Sequence, residues 1–364
     1  MHKALLNQLL LDISIEPQGP ILIKERAPDE GEDAAGKEQK KKRNDKYGEP
    51  DMLFVRIERR APGGVSRLEP FIPGSSLKGL LRSHAERIAR TLNPANGTCD
   101  PLGDGSTPFG MRLSCSRKLD KQKKELQAKG SKMSPQEIYS SSCPICRIFG
   151  NASLRSRIDV DDAYLAVTAS PVVQPPPPLP GEQGDTSPWW WDANAWQSAD
   201  GGYFPKRTNV AIDRFTGGAK DKALFDYETW RGGFHTRIVL RNFELWHLGL
   251  MAFLARDLSR GVLRIGYGKN RGLGRIKGMV KEAEITYYGR DLPKSNELWG
   301  IDKMMVDGNK YGIATKGPLT LKGIPQMDAM EDMGYGRVYR YDAQEFETIS
   351  RTAAQYLVEF IQNL

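Results

Sequence analysis

FIPGSSLKGLLRSHAERIARTL, residues 71–92, is the stretch from which the rest of the chain can be read. Leu77, Leu80, Leu81, Ile88 and Leu92 recur at helical spacing, which predicts a helix over 75–92 capped by Ser75 or Ser76. Lys78, Arg82, Arg87 and Arg90 are left for its other faces. Pro73-Gly74 is a turn feeding the helix N-terminus, where unpaired N–H groups and the helix dipole attract a phosphate. An ordinary capped helix accounts for the same residues, so the motif needs its context.

Upstream, residues 4–24 read as a strand, with Leu10, Ile13 and Ile15 followed by Ile21-Leu22-Ile23 after a break at Pro17, Gly19 and Pro20. Residues 25–50 are almost wholly charged or small, including Lys40-Lys41-Lys42-Arg43, and have too little apolar surface to order themselves. This loop supplies Asp29, Glu30, Glu32, Asp33, Asp45 and Asp51, carboxylates of the kind that bind a hard cation or act as a base. Most must be bystanders.

Downstream, the loop-rich window 94–150 holds the chain's only cysteines, Cys99, Cys115, Cys143 and Cys146. Cys143-Pro144-Ile145-Cys146 has zinc-knuckle spacing, and Cys99 and Cys115 complete a four-thiolate set. Four protein ligands leave no open position, so the expected role is a structural zinc holding an insertion together, not water activation. Residues 171–202 combine Pro175–Pro178 with Trp189-Trp190-Trp191 and read as an exposed excursion. Residues 207–228 mix cations, aromatics and turn residues, as in a hairpin meeting RNA or in a plain surface hairpin with Asp213 and Arg214 solvated.

Strand character returns at 235–243, an amphipathic helix is expected at about 244–259, and a final helix at 343–362 places Phe346, Ile349, Ala353, Leu357, Phe360 and Ile361 on one face. Between them, Gly266-Tyr267-Gly268-Lys269-Asn270-Arg271-Gly272-Leu273-Gly274-Arg275 interleaves glycines with cations. That pattern suits a backbone approaching a nucleic-acid strand, or a glycine-rich hairpin with solvated charges. It lacks the Gly-Lys-Ser/Thr ending of a nucleotide-binding P-loop. With no repeat at solenoid spacing, the elements point to an α+β domain.

The 364 residues carry 53 Lys and Arg against 45 Asp and Glu, a net charge of +8 that favours polyanionic partners. No apolar run has membrane-spanning length, and MHKALLNQLLLDISIEP lacks a signal cleavage pattern, so the expected location is cytoplasmic. Of the histidines, His84 lies among basic residues, while His2, His235 and His247 show no partner spacing. None is assigned to catalysis.

Together FIPGSSLKGLLRSHAERIAR, CPICRIFGNASLRSRI, RTNVAIDRFTGGAKDKALFDYE and IGYGKNRGLGRIKG, in that order, resemble the RAMP superfamily, specifically the guide-RNA backbone subunits of type III CRISPR complexes. The resemblance spans roughly residues 5–280 and implies an RRM-like ferredoxin fold with zinc-binding, thumb-hairpin and loop insertions. The expected layout is a domain over 1–285, with a zinc-binding insertion at 94–150 and the excursion and thumb at 171–233, followed by a C-terminal extension at 286–364 that completes or flanks it. The resemblance implies guide-phosphate contacts for Ser75, Ser76, Lys78, Arg82, Lys269, Asn270 and Arg271, and thumb contacts for Arg207 and Arg214. It also implies magnesium-dependent attack of a target-RNA 2′-hydroxyl on the neighbouring phosphate, supported by an aspartate of the loop after the first strand. Asp29 is the nearest positional match, with Asp33 and Asp51 as substitutes. The implied partners are guide RNA, complementary target RNA and other type III subunits, and the cysteine insertion resembles those of a type III-D or III-E-like lineage. A non-cleaving subunit of the same complex is the alternative. A guide-maturing nuclease lacks a convincing histidine base here, and a zinc scaffold without RNA conflicts with three cationic glycine-bearing motifs.

Overall fold

A computed structural model describes residues 4–25, 51–60, 66–104, 113–165, 206–294, 296–305, 311–313, 317–321, 331–332 and 334–364. The strands are β1 (Asn7–Pro17), β2 (Arg56–Arg60), β3 (Ser66–Pro70), β4 (Ile158–Val160), β5 (Tyr164–Leu165), β6 (Lys206–Ile212), β7 (Ala219–Glu228), β8 (Phe234–Arg241), β9 (Ile276–Tyr288), β10 (Glu297–Leu298), β11 (Leu319–Thr320), β12 (Glu331–Asp332) and β13 (Gly336–Asp342). The helices are α1 (Gly74–Leu92), α2 (Cys115–Ala128), α3 (Pro135–Ser141), α4 (Pro144–Phe149), α5 (Leu245–Ser259) and α6 (Ala343–Gln362).

The chain is α+β, built on an antiparallel sheet of order β12-β13-β9-β1-β8-β4, with β5 also paired to β8. β1 runs through its middle because its alternation has the period of a strand with one buried face. Leu9, Leu11, Ile13 and Ile15 are all buried, and β8 and β9 pair on either side. α1 follows β1, and α5 connects β8 to β9. α6 packs along α5, with Trp246 stacked on Phe360 at 4.3 Å between ring centroids. Gly249 permits that approach, since a Cβ there would lie 2.4 Å from the Ala353 carbonyl oxygen.

The structure adds to or departs from the sequence expectations at four places. α5 is not amphipathic: Leu245, Trp246, Leu248, Leu250, Met251, Leu254 and Leu258 are all buried, because the sheet lies on one side of the helix and α6 on another. Of the two places offered to the C-terminal extension, its β13 takes the one inside the domain: it pairs with β9, which itself runs across 285/286, so the extension joins the same sheet. The cysteine window, expected as an insertion, also contributes to the main core, where Ile145, Ile148 and Phe149 of α4 lie. His247 and Glu244 have partners the spacing did not reveal. The Glu244 carboxylate accepts from the Tyr139 hydroxyl and, at 2.9 Å, from the Trp246 indole, with the Arg157 guanidinium 3.8 Å away. Burial and the nearby Arg157 and Arg147 hold His247 well below its ordinary pKa, so it is a neutral core histidine.

Candidate nucleic-acid interface and metal centre

Cys99 lies in the loop after α1, Cys115 opens α2, and Cys143 caps α4, whose first turn carries Cys146. Their sulfurs all lie within 4.8 Å of one another and all four residues are buried. Four ligands at the zinc–sulfur bond length define a tetrahedron with edges of roughly 3.8 Å, and the Cys99 and Cys146 sulfurs are 3.7 Å apart. The Cys143 N–H donates to Cys115 Sγ at 3.2 Å and the Cys146 N–H to Cys143 Sγ at 3.4 Å, so backbone amides already point at two of the four sulfurs. The donor set fits a closed structural metal site such as zinc, and offers no open position for substrate.

The N-terminus of α1 differs from the expectation. Its cap is Pro73, neither Ser75 nor Ser76 caps it, and the Gly74 N–H donates to Asp162 Oδ1 at 2.6 Å. A Cβ on Gly74 would sit 2.2 Å from the Val160 carbonyl oxygen, so this end is pressed against the β4–β5 turn and already holds a carboxylate. Lys78 is also turned inward, donating to Ser156 Oγ at 2.9 Å and to the Ile158 carbonyl at 2.8 Å, and burial lowers its pKa. Arg82 reaches Glu86 at 3.1 Å, the Gly150 carbonyl at 3.2 Å and Cys146 Sγ at 3.6 Å. Both cations pin α1 to the cysteine centre and β4.

The opposite face of α1 borders a polar groove of about 500 Å³, where Ser76, Gly79, Ser83, His84 and Arg87 face Arg264, Gly266 and Lys269. Here two motifs far apart in the sequence meet. Sequence reasoning missed Ser83, Arg87 and Arg264. The signal was the spacing Ser76, Gly79, Ser83, Arg87, one polar helix face with a glycine gap. His84 closes one end, its Nε2 2.7 Å from Asp257 Oδ2, and Asp257 also accepts from Arg256 at 2.8 Å.

The glycine loop is rigid where it meets the protein and exposed at its tip. Tyr267 N–H donates to the Leu22 carbonyl at 2.7 Å and Gly274 N–H to the Pro20 carbonyl at 3.0 Å. Gly266, at φ 80°, is required because a Cβ would lie 2.1 Å from the Leu22 carbonyl oxygen. That close approach is to the chain's own backbone. Buried Leu273 anchors the loop, while Lys269, Asn270 and Arg271 are exposed.

From the loop the surface continues onto the β6–β7 hairpin, because the Arg271 guanidinium lies 5.7 Å from the centroid of the Phe225 ring. The hairpin base is tied down through buried Glu228, which accepts from Phe54 N–H at 2.8 Å and from Arg56 at 2.8 Å. Its tip projects: Phe215 is fully exposed, and Arg207 and Arg214 are exposed along the arm. Asp213 is not merely solvated, since it accepts from the Phe215 and Thr216 amides at 2.8 and 3.0 Å and so closes the turn. Asp51 is exposed beside the hairpin base, accepting from the Asp226 amide at 2.9 Å. Asp29, Asp33 and Trp189–Trp191 lie outside the described residues.

Among the described residues no helix is long and apolar enough to cross a membrane. The model of the RAMP superfamily matches residues 56–277. A chain of a solved structure described as a "Type IV-B CRISPR Complex" is similar at a TM-score of 0.36 and 16% identity, covering 75% of this chain and 90% of that one. No curated protein matches the sequence.

Proposed function

We propose, from the premise that this chain belongs to the RAMP superfamily, that it binds the sugar-phosphate backbone of a guide RNA as a subunit of a CRISPR effector complex. The observation that carries the reading is the meeting of the α1 polar face, the glycine loop and the hairpin base on one cationic surface. Such contacts fix register on the strand and carry no base readout. Lys269, Asn270, Arg271, Ser75, Ser76, Arg207 and Arg214 are the proposed contacts, joined by Ser83, Arg87 and Arg264. Lys78 and Arg82 act one step back, by holding α1.

The strand order β9-β1-β8-β4, with α1 after β1 and α5 between β8 and β9, supports an RRM-like ferredoxin reading of the core. The ordered motifs support a type III assignment, with zinc as the metal of the cysteine site. Cleavage of paired target RNA by a magnesium ion held in the loop between Glu25 and Met52 belongs to the same reading, with Asp29, Asp33 and Asp51 as its carboxylates. That loop leaves and rejoins the core where Ile21 pairs with Trp230 and Met52 with Tyr227, at the hairpin base.

The test is to assemble the chain with guide RNA and its partner subunits, then measure guide retention and cutting of labelled complementary RNA. Lys269→Glu with Arg271→Glu is expected to weaken guide binding at least tenfold, and unchanged binding would refute the interface. Asp29→Ala, Asp33→Ala and Asp51→Ala separate cleavage from binding. Loss of magnesium-dependent cuts in one of them, with the guide retained, names the carboxylate, whereas cuts unchanged in all three leave a non-cleaving subunit.

A further inference from the structure

The two walls of the polar groove differ in charge. Across from α1, the glycine loop presents Lys269, and the Arg264 guanidinium donates to the Lys269 carbonyl at 2.7 Å. The α1 wall presents Ser76, Gly79 and Ser83 and carries no formal charge between them, because Lys78 and Arg82 are turned inward; Arg87 follows one turn further on. Ser76, Gly79 and Ser83 are three and four residues apart and so share one helix face, and from Ser76 to Ser83 the axis advances about 10 Å. The groove's edges include apolar surface: Leu80 is half-buried and Val262 is 59% exposed.

Gly79 is not explained by the fold. Of the described glycines inside helices and strands, Gly74, Gly249, Gly278 and Gly336 would each push a Cβ to 2.2–2.6 Å from another part of the chain, whereas a Cβ at Gly79 would meet nothing within 4 Å. Glycine lowers the stability of a helix interior relative to alanine, so what the missing side chain provides is room on the groove side. The flanking hydroxyls are also left over. Thr91, on the same helix, donates to the Arg87 carbonyl at 2.9 Å, but neither Ser76 nor Ser83 has a side-chain hydrogen-bond partner among the described residues. A strand lying in this groove would set its phosphates against Lys269 and Arg87 and leave its sugars to the neutral wall. A phosphate oxygen accepts hydrogen bonds, whereas a ribose 2′-hydroxyl both donates and accepts, as a serine hydroxyl does. We propose, resting on the guide-binding reading above, that this wall reads the sugar: ribose packs against the bare helix at Gly79 and its 2′-hydroxyls bond Ser76 and Ser83. The groove thereby selects RNA over DNA of the same sequence.

The test measures binding of the full chain to labelled single strands of one sequence, made as RNA and as DNA. Wild type is expected to prefer RNA, and Ser76→Ala with Ser83→Ala to lower RNA affinity about tenfold, as the loss of two hydrogen bonds does, with DNA affinity unchanged. Gly79→Leu narrows the groove with a side chain whose Cβ touches nothing else in the protein, and should weaken RNA binding about tenfold without lowering the melting temperature. Lys269→Glu with Arg271→Glu should instead weaken both strands alike, as the loss of phosphate contacts does. If the double serine variant loses RNA and DNA equally, or loses neither, or if Gly79→Leu binds RNA as wild type does, sugar reading is overturned while the guide interface stands. If reversing Lys269 and Arg271 leaves both strands bound as before, the guide-binding reading itself falls, and this inference with it.

Discussion

The two faces of α1 bear the same kinds of residue and do opposite work. One face turns Lys78 and Arg82 into the protein, onto the Ile158 and Gly150 carbonyls and a cysteine sulfur. The other leaves Ser76, Ser83 and Arg87 bordering an open polar groove across from Lys269. A cation in a motif that resembles an RNA-binding one is therefore not by itself an RNA contact. What decides is whether the fold has already given it acceptors, because a cation held by buried carbonyls cannot be reassigned to a phosphate without leaving those carbonyls unpaired.

The most drastic way to break the inward face is to remove a ligand of the metal site. On the proposed zinc reading, Cys143→Ser is expected to abolish stoichiometric zinc in elemental analysis and to cost more stability than the roughly 1 kcal/mol of a typical substitution, because the free energy of binding a structural metal is folding free energy. Gly74→Ala comes next: its Cβ meets backbone that cannot swing aside, and a loss of about 1–3 kcal/mol in chemical denaturation is expected. Gly79→Ala, on the same helix and with open space at its Cβ, should leave stability unchanged or slightly raised.

The comparison is sharpened by matched cations. Lys269→Gln or Arg271→Gln should weaken RNA binding and reduce the salt dependence of log K by about 1 for each phosphate that is no longer neutralised. Lys78→Gln should lower the melting temperature while leaving that salt slope intact. An equal effect on the slope would mean that Lys78 leaves its carbonyls for RNA. The smallest expected effect is at the hairpin tip, where the Thr216 and Phe215 amides hold Asp213 below its ordinary pKa. A depressed carboxylate stabilises the turn above its unfolded pKa of about 3.9 and loses that contribution as pH falls through the folded value. Amide exchange at Phe215 and Thr216 should therefore lose protection below about pH 4, while the amides of β1 keep theirs.

Much of this was legible in residue order. The period of Leu9, Leu11, Ile13 and Ile15 gave β1, and the repeat through Leu77, Leu81 and Ile88 gave α1. The Cys-Pro-Ile-Cys spacing gave half of a four-cysteine cluster whose other half lay within loop reach. The capping of α1 was misread because its partner, Asp162, is 88 residues away. The His84–Asp257 and His235–Asp12 pairs were missed for the same reason, being 173 and 223 residues apart.

By itself the sequence determined the period of each element, the ligand chemistry of the cysteines and the surplus of positive charge, because these depend on residue type and local spacing. Only the tertiary structure decided which cations face solvent, which glycines serve the chain's own backbone, and that the α1 face and the glycine loop form one groove. Those outcomes depend on which carbonyls and carboxylates folding brings within hydrogen-bond reach, and that is a property of contacts between distant segments.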